Sequence, residues 1–335
     1  MNDAKYIGLD VHQATISIAV LDSSGKLVME AILETKAETV LQFIHGLRGD
    51  LQVTFEEGTC AAWLHALLKP HVTQVVVCDP RKNALLKVGN KSDRIDSRKL
   101  AELLRASLLS SVFHEDTGLR GVKELARSYL TITKDLTRVM KRLKAIYRSW
   151  AIPCASQQVY APRHRAEWLA KISEAGVRRR AEFYYQQLDA LRSLHQQVRT
   201  ELLAEGRKHS ATTLLRQIPS IGPIRAVLLL ALIQTPHRFR TKRQLWSYCG
   251  LALETRNSGE YRNVHGQLQR SKKVVAIRAA AAEQIFQEFY AALLAKGMKP
   301  PMARLTLARK IAAITLLVWK KGVCFDAAHL KPQAA

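Results

Sequence analysis

Residues 90–98 read Asn-Lys-Ser-Asp-Arg-Ile-Asp-Ser-Arg and open a stretch that is predicted to be helical. The leucines that follow have helical spacing: Leu100, Leu103, Leu104 and Leu108. Ser92 is the expected N-cap, which places Asp93 and Asp96 together on the first turn. Acidic residues there can simply complement the helix dipole. They can also bind a metal ion if other acidic residues lie close to them in the fold. Acidic residues elsewhere in the sequence therefore distinguish a metal site from simple complementation of the helix dipole.

The chain is strongly basic. It has 335 residues, with 52 Lys and Arg against 28 Asp and Glu, a formal net charge of +24 and a pI near 10.1. This surplus favours a polyanionic partner, and nucleic acid over a membrane surface. No apolar run reaches membrane-spanning length, and no signal-peptide core follows the N-terminus. Five scattered cysteines without a C-x-x-C pair argue against disulfides and zinc, so a cytoplasmic location is expected.

The predicted elements of residues 1–112 are three strands joined by short loops, followed by alternating helices and strands. The first strand ends in Asp10 and the fourth in Glu56. Ribonuclease H-like domains of the RuvC type have this order, with acids on the first strand, after the fourth and on the last helix. We therefore predict an α/β plus α fold class: a RuvC-like mixed-sheet domain, a helical arm and a mostly helical C-terminal domain.

A metal site is predicted from four carboxylates in this order: Asp10, Glu56, Asp93 and Asp96. Mg²⁺ prefers hard oxygen ligands in octahedral geometry. Two such ions can activate an attacking oxygen and stabilise a leaving one in phosphodiester chemistry. Four clustered acids would also be a poor choice for merely touching a polyanion. Glu57 is the alternative to Glu56, which we prefer because it directly follows the apolar strand residue Phe55.

Residues 113–208 are predicted to form a coiled-coil arm of two antiparallel helices. Apolar residues repeat in steps of three and four in both halves. The first seam is Tyr129, Ile132, Leu136, Val139, Leu143, Ile146 and Trp150, and the second is Val177, Ala181, Tyr184, Leu188, Leu191, His195, Val198 and Leu202. A loop with Pro153 and Pro162 separates them. The basic outer faces are either ordinary solvated surface or a place for phosphate contacts.

Residues 209–335 are predicted to be the C-terminal domain. The turn around Gly222 has the features of a helix-hairpin-helix, in which backbone N–H groups bind a nucleic-acid phosphate; an ordinary packing turn is the alternative. Further on, Ser258 precedes a glycine among basic residues: Arg256, Arg262, Arg270, Lys272 and Lys273. Taken alone, Ser258 is better explained as a turn residue, because a serine hydroxyl is a weak nucleophile without a base or metal.

These motifs, in this order, resemble transposases of the insertion sequence 110 family over nearly the whole chain. Ile7-Gly8-Leu9-Asp10, Glu56 and residues 91–98 resemble the RuvC-like DEDD domain. Ile218-Pro219-Ser220-Ile221-Gly222, Gly250-Leu251, Ser258-Gly259 and Ser271-Lys272 resemble the C-terminal transposase domain. The resemblance implies that the four acids bind Mg²⁺ and that Ser258 is the nucleophile of a DNA recombinase, forming a phosphoserine link to a cut strand.

The resemblance also implies partners and a location. It implies donor and target DNA, a structured bridge RNA that pairs with both, a homo-oligomer (dimer or tetramer), and a bacterial, nucleoid-associated enzyme. The chain departs from the family at Glu56-Glu57-Gly58-Thr59, where relatives more often have Glu-Ala-Thr-Gly. Because the acids and the serine lie on separate predicted domains, we also expect a composite site assembled from different subunits.

Other functions are compatible with the same residues. A RuvC-like Holliday-junction endonuclease would use the four acids without Ser258. An actin-like ATPase begins with a similar strand but needs Gly-rich phosphate loops, which the sequence does not show. A non-enzymatic nucleic-acid-binding protein would need neither the acids nor the serine. The sequence also lacks a G-x-x-x-x-G-K-[ST] loop, so strand rejoining would depend on a bond stored in the phosphoserine ester.

Overall fold

The computed structural model describes residues 4–83, 92–114, 118–252, 261–264, 267–270 and 284–330. The chain divides into two units, residues 1–115 and 116–335, which we describe one at a time. The predicted division into domains at 1–112, 113–208 and 209–335 stays a prediction. Among the described helices, none combines the length and the apolar composition that crossing a membrane requires.

The first unit is built on a five-stranded sheet, which confirms the predicted mixed α/β architecture. Its strands are β1 (Ala4–Val11), β2 (Thr15–Leu21), β3 (Leu27–Glu34), β4 (Asp50–Glu56) and β5 (Gln74–Cys78), in the order β3-β2-β1-β4-β5. The first three strands pair antiparallel, and β4 pairs parallel with both β1 and β5. The parallel pairs bring the carboxyl ends of β1, β4 and β5 to one edge of the sheet.

Helices cover both faces of this sheet. The helices are α1 (Ala37–His45), α2 (Ala61–Leu68), the short α3 (Pro80–Asn83) and α4 (Asp93–Arg105). Val40 and Ile44 of α1 and Leu64 of α2 pack with Ile7 and Leu9 of β1 in one buried core. Alternate strand residues face opposite sides, so Gly8 lies on the other face, against α4.

The helix α4 begins as predicted and ends earlier than its leucine spacing suggests. The Ser92 hydroxyl accepts a hydrogen bond from the Ile95 N–H at 3.3 Å, which confirms the N-cap. Leu100, Leu103 and Leu104 are buried. The helix stops at Arg105 and Ser107 has φ of 56°, so Leu108 lies beyond the helix and is exposed.

Gly8 permits the close approach of α4 to the sheet. A Cβ at this position would lie 2.1 Å from the Ser97 carbonyl oxygen and 2.6 Å from the Ala101 backbone nitrogen. Both atoms are backbone, so neither can rotate away. We expect Gly8→Ala to lower the free energy of unfolding by about 1–3 kcal/mol, because α4 must move off the sheet.

Thermal and denaturant unfolding of the full chain measure this effect. Gly58→Ala is the matched control, since its nearest neighbour would be the Glu56 carbonyl oxygen at 4.0 Å. The control should lose little stability. Equal unfolding midpoints for the two variants would contradict the close approach.

The second unit begins with two long helices, α5 (Arg120–Ser149) and α7 (Ala175–Arg207), with α6 (Arg165–Ala170) between them. They run antiparallel: the rings of Tyr129 and His195 lie 5.0 Å apart, and the hydroxyls of Tyr147 and Tyr185 are 3.0 Å apart. With 30 and 33 residues, they are about 45–50 Å long. Trp150, predicted as part of the first seam, instead caps the end of α5 and is exposed, because the helix has already ended.

The remaining described elements of this unit are five α-helices and a two-stranded antiparallel hairpin. They are α8 (Ser210–Leu215), α9 (Pro223–Ile233), α10 (Lys242–Tyr248), β6 (Tyr261–Val264), β7 (Gln267–Arg270), α11 (Gln284–Ala295) and α12 (Pro300–Lys321). Gly206 of α7 lies against Val227 of α9, where a Cβ would clash with the valine side chain. Val227 and Leu230 of α9 share a core with Val122 of α5. The helix α12 packs against α8, α10 and α11.

Candidate functional site

Asp10 and Glu56 lie at the same edge of the sheet. In the parallel pair of β1 and β4, Gly8 is opposite Thr54 and Leu9 is opposite Phe55. Asp10 and Glu56 are each two residues beyond Gly8 and Thr54, so they belong to the same face of the sheet as Gly8. That is the face covered by α4. Both residues are partly buried.

The first turn of α4 brings Asp93 to Asp10. The Ser97 carbonyl lies against Gly8, and Asp93 is one helical turn before Ser97. Asp93 therefore reaches the strand two residues further along, beside Asp10. Ligand atoms of Asp10, Asp93 and His12 all lie within 4.8 Å of one another.

The position of α4 is held by an ion pair with the sheet. Arg98 donates from Nη2 to Oε2 of Glu30 on β3 at 2.7 Å, and its Nε contacts the other carboxylate oxygen. This hydrogen bonding to Arg98 is the main reason that the pKa of Glu30 lies below its ordinary value. The Arg98–Glu30 ion pair links the helical turn that follows Asp93 to β3. The ion pair therefore helps to hold the acidic first turn of α4 against the ends of the strands.

His12 is a member of this group that the sequence interpretation missed. Its Nε2 lies 3.2 Å from Oδ2 of Asp10 and 3.6 Å from Oδ1 of Asp93. The sequence contained only a weak signal, the spacing Asp10-Val11-His12, because residues two apart in an extended chain project to the same side. The carboxylate oxygens of this group suit Mg²⁺ or Mn²⁺, whereas an imidazole is a ligand typical of Zn²⁺.

Glu56 and Asp96 fall outside the three-residue group among the residues that the structure describes. Asp96 is partly buried on the first turn of α4, and its N–H donates to the Ser92 carbonyl at 2.9 Å. Glu57, the alternative to Glu56, is held elsewhere: its Oε2 lies 2.5 Å from Nε2 of His114. His114 in turn lies beside His65, whose pKa is lowered first by burial and then by the charge of His114.

The predicted serine and several predicted cations lie outside the described residues: Ser258, Arg256, Lys272 and Lys273. Arg262 is on β6 and Arg270 is on β7, and these strands pair antiparallel, with Arg262 opposite Gln269 and Tyr261 opposite Arg270. The two arginines are therefore at adjacent register positions of one hairpin.

Gly222 is the N-cap of α9, and Pro223 is the first residue of that helix. The preceding turn contains Ser220 with φ of 69°, and the Arg225 guanidinium donates to the Ser220 carbonyl at 2.6 Å. Gly222 is exposed, and a Cβ there would meet no heavy atom within 4 Å. The start of α9 is thus exposed at Gly222, whereas Pro223, the first residue of the helix, has no N–H to donate.

Comparisons with known proteins agree with the order of these elements. A family model for the DEDD domain of IS110-type elements, described as "Transposase", matches residues 7–149. A second, described as "Transposase IS116/IS110/IS902 family", matches residues 212–290. The first match contains Asp10, Glu56, Asp93 and Asp96, and the second contains Ser258.

Two relatives align with part of the chain. The "Insertion element IS110 uncharacterized 43.6 kDa protein" of Streptomyces coelicolor is 26% identical over 149 residues, covering 41% of this chain and 36% of the relative. The "Transposase for insertion sequence element IS1533" of Leptospira borgpetersenii is 28% identical over 145 residues, covering 41% of this chain and 42% of the relative. The chain thus spans about two-fifths of the curated relatives it matches. Because the two family models together cover about two-thirds of the sequence, the chain belongs to the IS110 family of transposases.

Proposed function

We propose that the chain is the transposase of an insertion sequence, which cuts and rejoins DNA strands through a covalent phosphoserine intermediate. Asp10, Glu56, Asp93 and Asp96 bind the metal, and Ser258 is the nucleophile. The observation that carries the proposal is the convergence of Asp10, on a strand end, and Asp93, on the α4 turn, inside the region that matches the DEDD transposase model. The match of a transposase model across Ser258 supports the role proposed for that serine.

The residues present fit Mg²⁺. Asp10 and Asp93 offer hard oxygen ligands, and atoms within 4.8 Å of one another need little movement to share an ion at about 2.1 Å. Glu56 is preferred over Glu57 because His114 already engages the Glu57 carboxylate. When bound, Mg²⁺ would neutralise phosphate charge and favour ionisation of an attacking hydroxyl.

The chemistry assigned to Ser258 is a transesterification. Its Oγ forms a bond to a DNA phosphorus, the phosphorus–oxygen bond to the adjacent nucleotide breaks, and that oxygen leaves as a hydroxyl after taking up a proton. The serine gives up its own proton. In the reverse direction a different DNA hydroxyl attacks the phosphoserine, which reseals the strands in a new combination without ATP. Nearby cations, including Arg256, would stabilise the charge of the transition state.

The finer features of the proposal concern partners and architecture. We assign a structured bridge RNA that pairs with donor and target DNA, a homo-oligomer, and action in the cytoplasm on the nucleoid. The antiparallel pair of α5 and α7 would be a coiled-coil arm that spaces active units or pairs with another subunit. The turn at Gly222 would be a helix-hairpin-helix that binds a backbone phosphate through the N-terminus of α9.

A RuvC-like endonuclease of the Holliday-junction type is the second candidate. The same sheet edge and the same acids would serve it, and Ser258 would have no part. The two candidates differ in one product, because only the transposase would remain attached to a cut strand.

The test is denaturing electrophoresis of the full chain after incubation with DNA carrying the ends of its own element and RNA transcribed from the flanking non-coding DNA. We expect a protein band that migrates with labelled DNA when Mg²⁺ is present and that is absent in EDTA. Omitting the RNA should remove the band if the guide is required. Metal-dependent cleavage without any attached protein would favour the endonuclease.

A further inference from the structure

A cluster of basic side chains in the second unit lies outside the set that the sequence singled out. It consists of Lys242 on α10 and Arg309 and Lys310 on α12, and we call it the α10–α12 basic surface. Lys242 and Arg309 lie beside the Trp246 ring, and Lys310 is close enough to Lys242 to feel its charge. The helix α10 starts with a capping box, in which Thr241 and Gln244 each bond the backbone of the other. The capping box therefore stabilises the first turn of α10, where Lys242 lies.

Trp246 holds the two helices and two of the cations together. Its indole N–H donates to the Arg309 carbonyl at 3.0 Å. The Arg309 guanidinium carbon lies 5.3 Å, and the Lys242 ammonium 5.9 Å, from the centroid of the indole ring. Such cation–π contacts restrict long side chains that would otherwise be free. The cations are thereby ordered in advance, which reduces the entropic cost of binding an anion.

Arg309 also joins this surface to the chain that leads to Ser258. Its Nε donates to the Leu251 carbonyl at 2.7 Å. Ser258 is seven positions after Leu251 in the sequence. Even when fully extended, that length of chain spans at most about 25 Å. A nucleic acid bound at the surface therefore lies within one or two helical turns of DNA from the proposed nucleophile.

The stretches of chain that carry the three cations are themselves free of acidic residues. The sequence has no aspartate or glutamate from His209 to Leu253, and none within α12. The pKa of Lys310 lies below its ordinary value, first because of burial and second because of the positive charge of Lys242. Bringing like charges together in a partly buried place costs free energy, and an anion placed between them offsets that cost.

We propose that Lys242, Arg309 and Lys310 bind the phosphate backbone of the DNA strand that is delivered to Ser258. This inference rests on the proposed function for the identity of the polymer. DNA is favoured over the guide RNA because Arg309 contacts the segment that leads to the nucleophile. The contact is to phosphates and not to bases, so it contributes affinity without sequence preference.

The test measures how binding depends on salt. Each neutralised phosphate contributes about 0.9 to the slope of log affinity against log salt for duplex DNA. We expect Lys242→Gln with Lys310→Gln to lower the slope by about 1.8, measured with the full chain and a labelled DNA duplex in EDTA. The matched control, Lys296→Gln with Lys321→Gln, removes the same charge at exposed positions of the same unit and should leave the slope unchanged.

The single variant Lys242→Gln changes only an exposed residue at the start of α10 and should lower the slope by about 0.9, so the test survives if the double variant unfolds. An unchanged slope in both variants, or an equal loss in the control, would overturn the proposal. A loss confined to a labelled RNA hairpin would overturn the assignment to DNA. Because EDTA prevents metal-dependent chemistry, these results are independent of whether an adduct forms at Ser258.

Discussion

Ser258→Ala should abolish the covalent protein–DNA band and reduce strand exchange by at least about 10³-fold. Without the serine hydroxyl, no side chain of the proposed site forms the covalent bond to the DNA phosphorus. The variant removes a single oxygen atom and keeps the Cβ, so we expect the unfolding midpoint to change little. Binding of DNA should also persist, since the basic residues are intact. The measurements are denaturing electrophoresis for the adduct and a strand-exchange assay for the product.

Ser247→Ala is the matched control for this loss. Ser247 is an exposed serine of α10 in the same unit, near the basic surface but without a proposed role in the chemistry. It should retain the adduct and the exchange activity. Cleavage at the full wild-type rate by Ser258→Ala would instead identify a metal-dependent endonuclease of the Holliday-junction type.

Local sequence signals were sufficient for most of the first unit. Short strand-like runs joined by short loops indicated the strands, and the Ser92 cap indicated the start of α4. Parallel strand ends then bring Asp10 and Glu56 to one edge. His12 was missed because its position depends on how closely α4 approaches β1, which is set by the missing side chain of Gly8. That is a tertiary property, and the Asp-x-His spacing alone is too common to indicate it.

The apolar periodicity predicted α4 and α5 to be longer than they are, and the physical reason is the same for both helices. Leu108 and Trp150 continue the apolar spacing of α4 and α5, yet both lie beyond the helix ends and are exposed. In each case a residue with positive φ follows the helix, Ser107 at 56° and Ala151 at 53°. Neither is glycine or asparagine, the usual signals of such an ending, so the sequence pattern contained no clear stop.

The α10–α12 basic surface shows a different limit of local reasoning. Runs such as residues 270–273 are visible in the sequence because their charges are adjacent. Lys242 and Lys310 come together only through the packing of α10 on α12, with Trp246 and Arg309 lying 63 residues apart. Single-sequence patterns find charge runs, whereas a phosphate-binding surface needs charges that are close in space.

Asp10→Asn should weaken binding of a divalent ion by more than about 100-fold and reduce adduct formation and strand exchange by at least about 10³-fold. The substitution preserves shape and removes the charge that faces Asp93 and His12. Binding of Mn²⁺, followed by its paramagnetic signal, measures the ion directly and does not require a competent nucleic-acid complex. Asp50→Asn is the control, because Asp50 is an exposed acid at the opposite end of β4, about 20 Å along the strand from Glu56.

The same variant tests whether the metal ligands and the serine come from one subunit. A mixture of Asp10→Asn and Ser258→Ala chains contains intact acids on one chain and an intact serine on the other. Recovery of strand exchange in the mixture would require a composite site, because neither chain alone retains both groups. No recovery, with each variant still able to form mixed oligomers, would assign both groups to the same chain. Unchanged Mn²⁺ binding by Asp10→Asn would contradict a metal site at this edge of the sheet, since Asp10 is the strand residue beside which Asp93 and His12 lie.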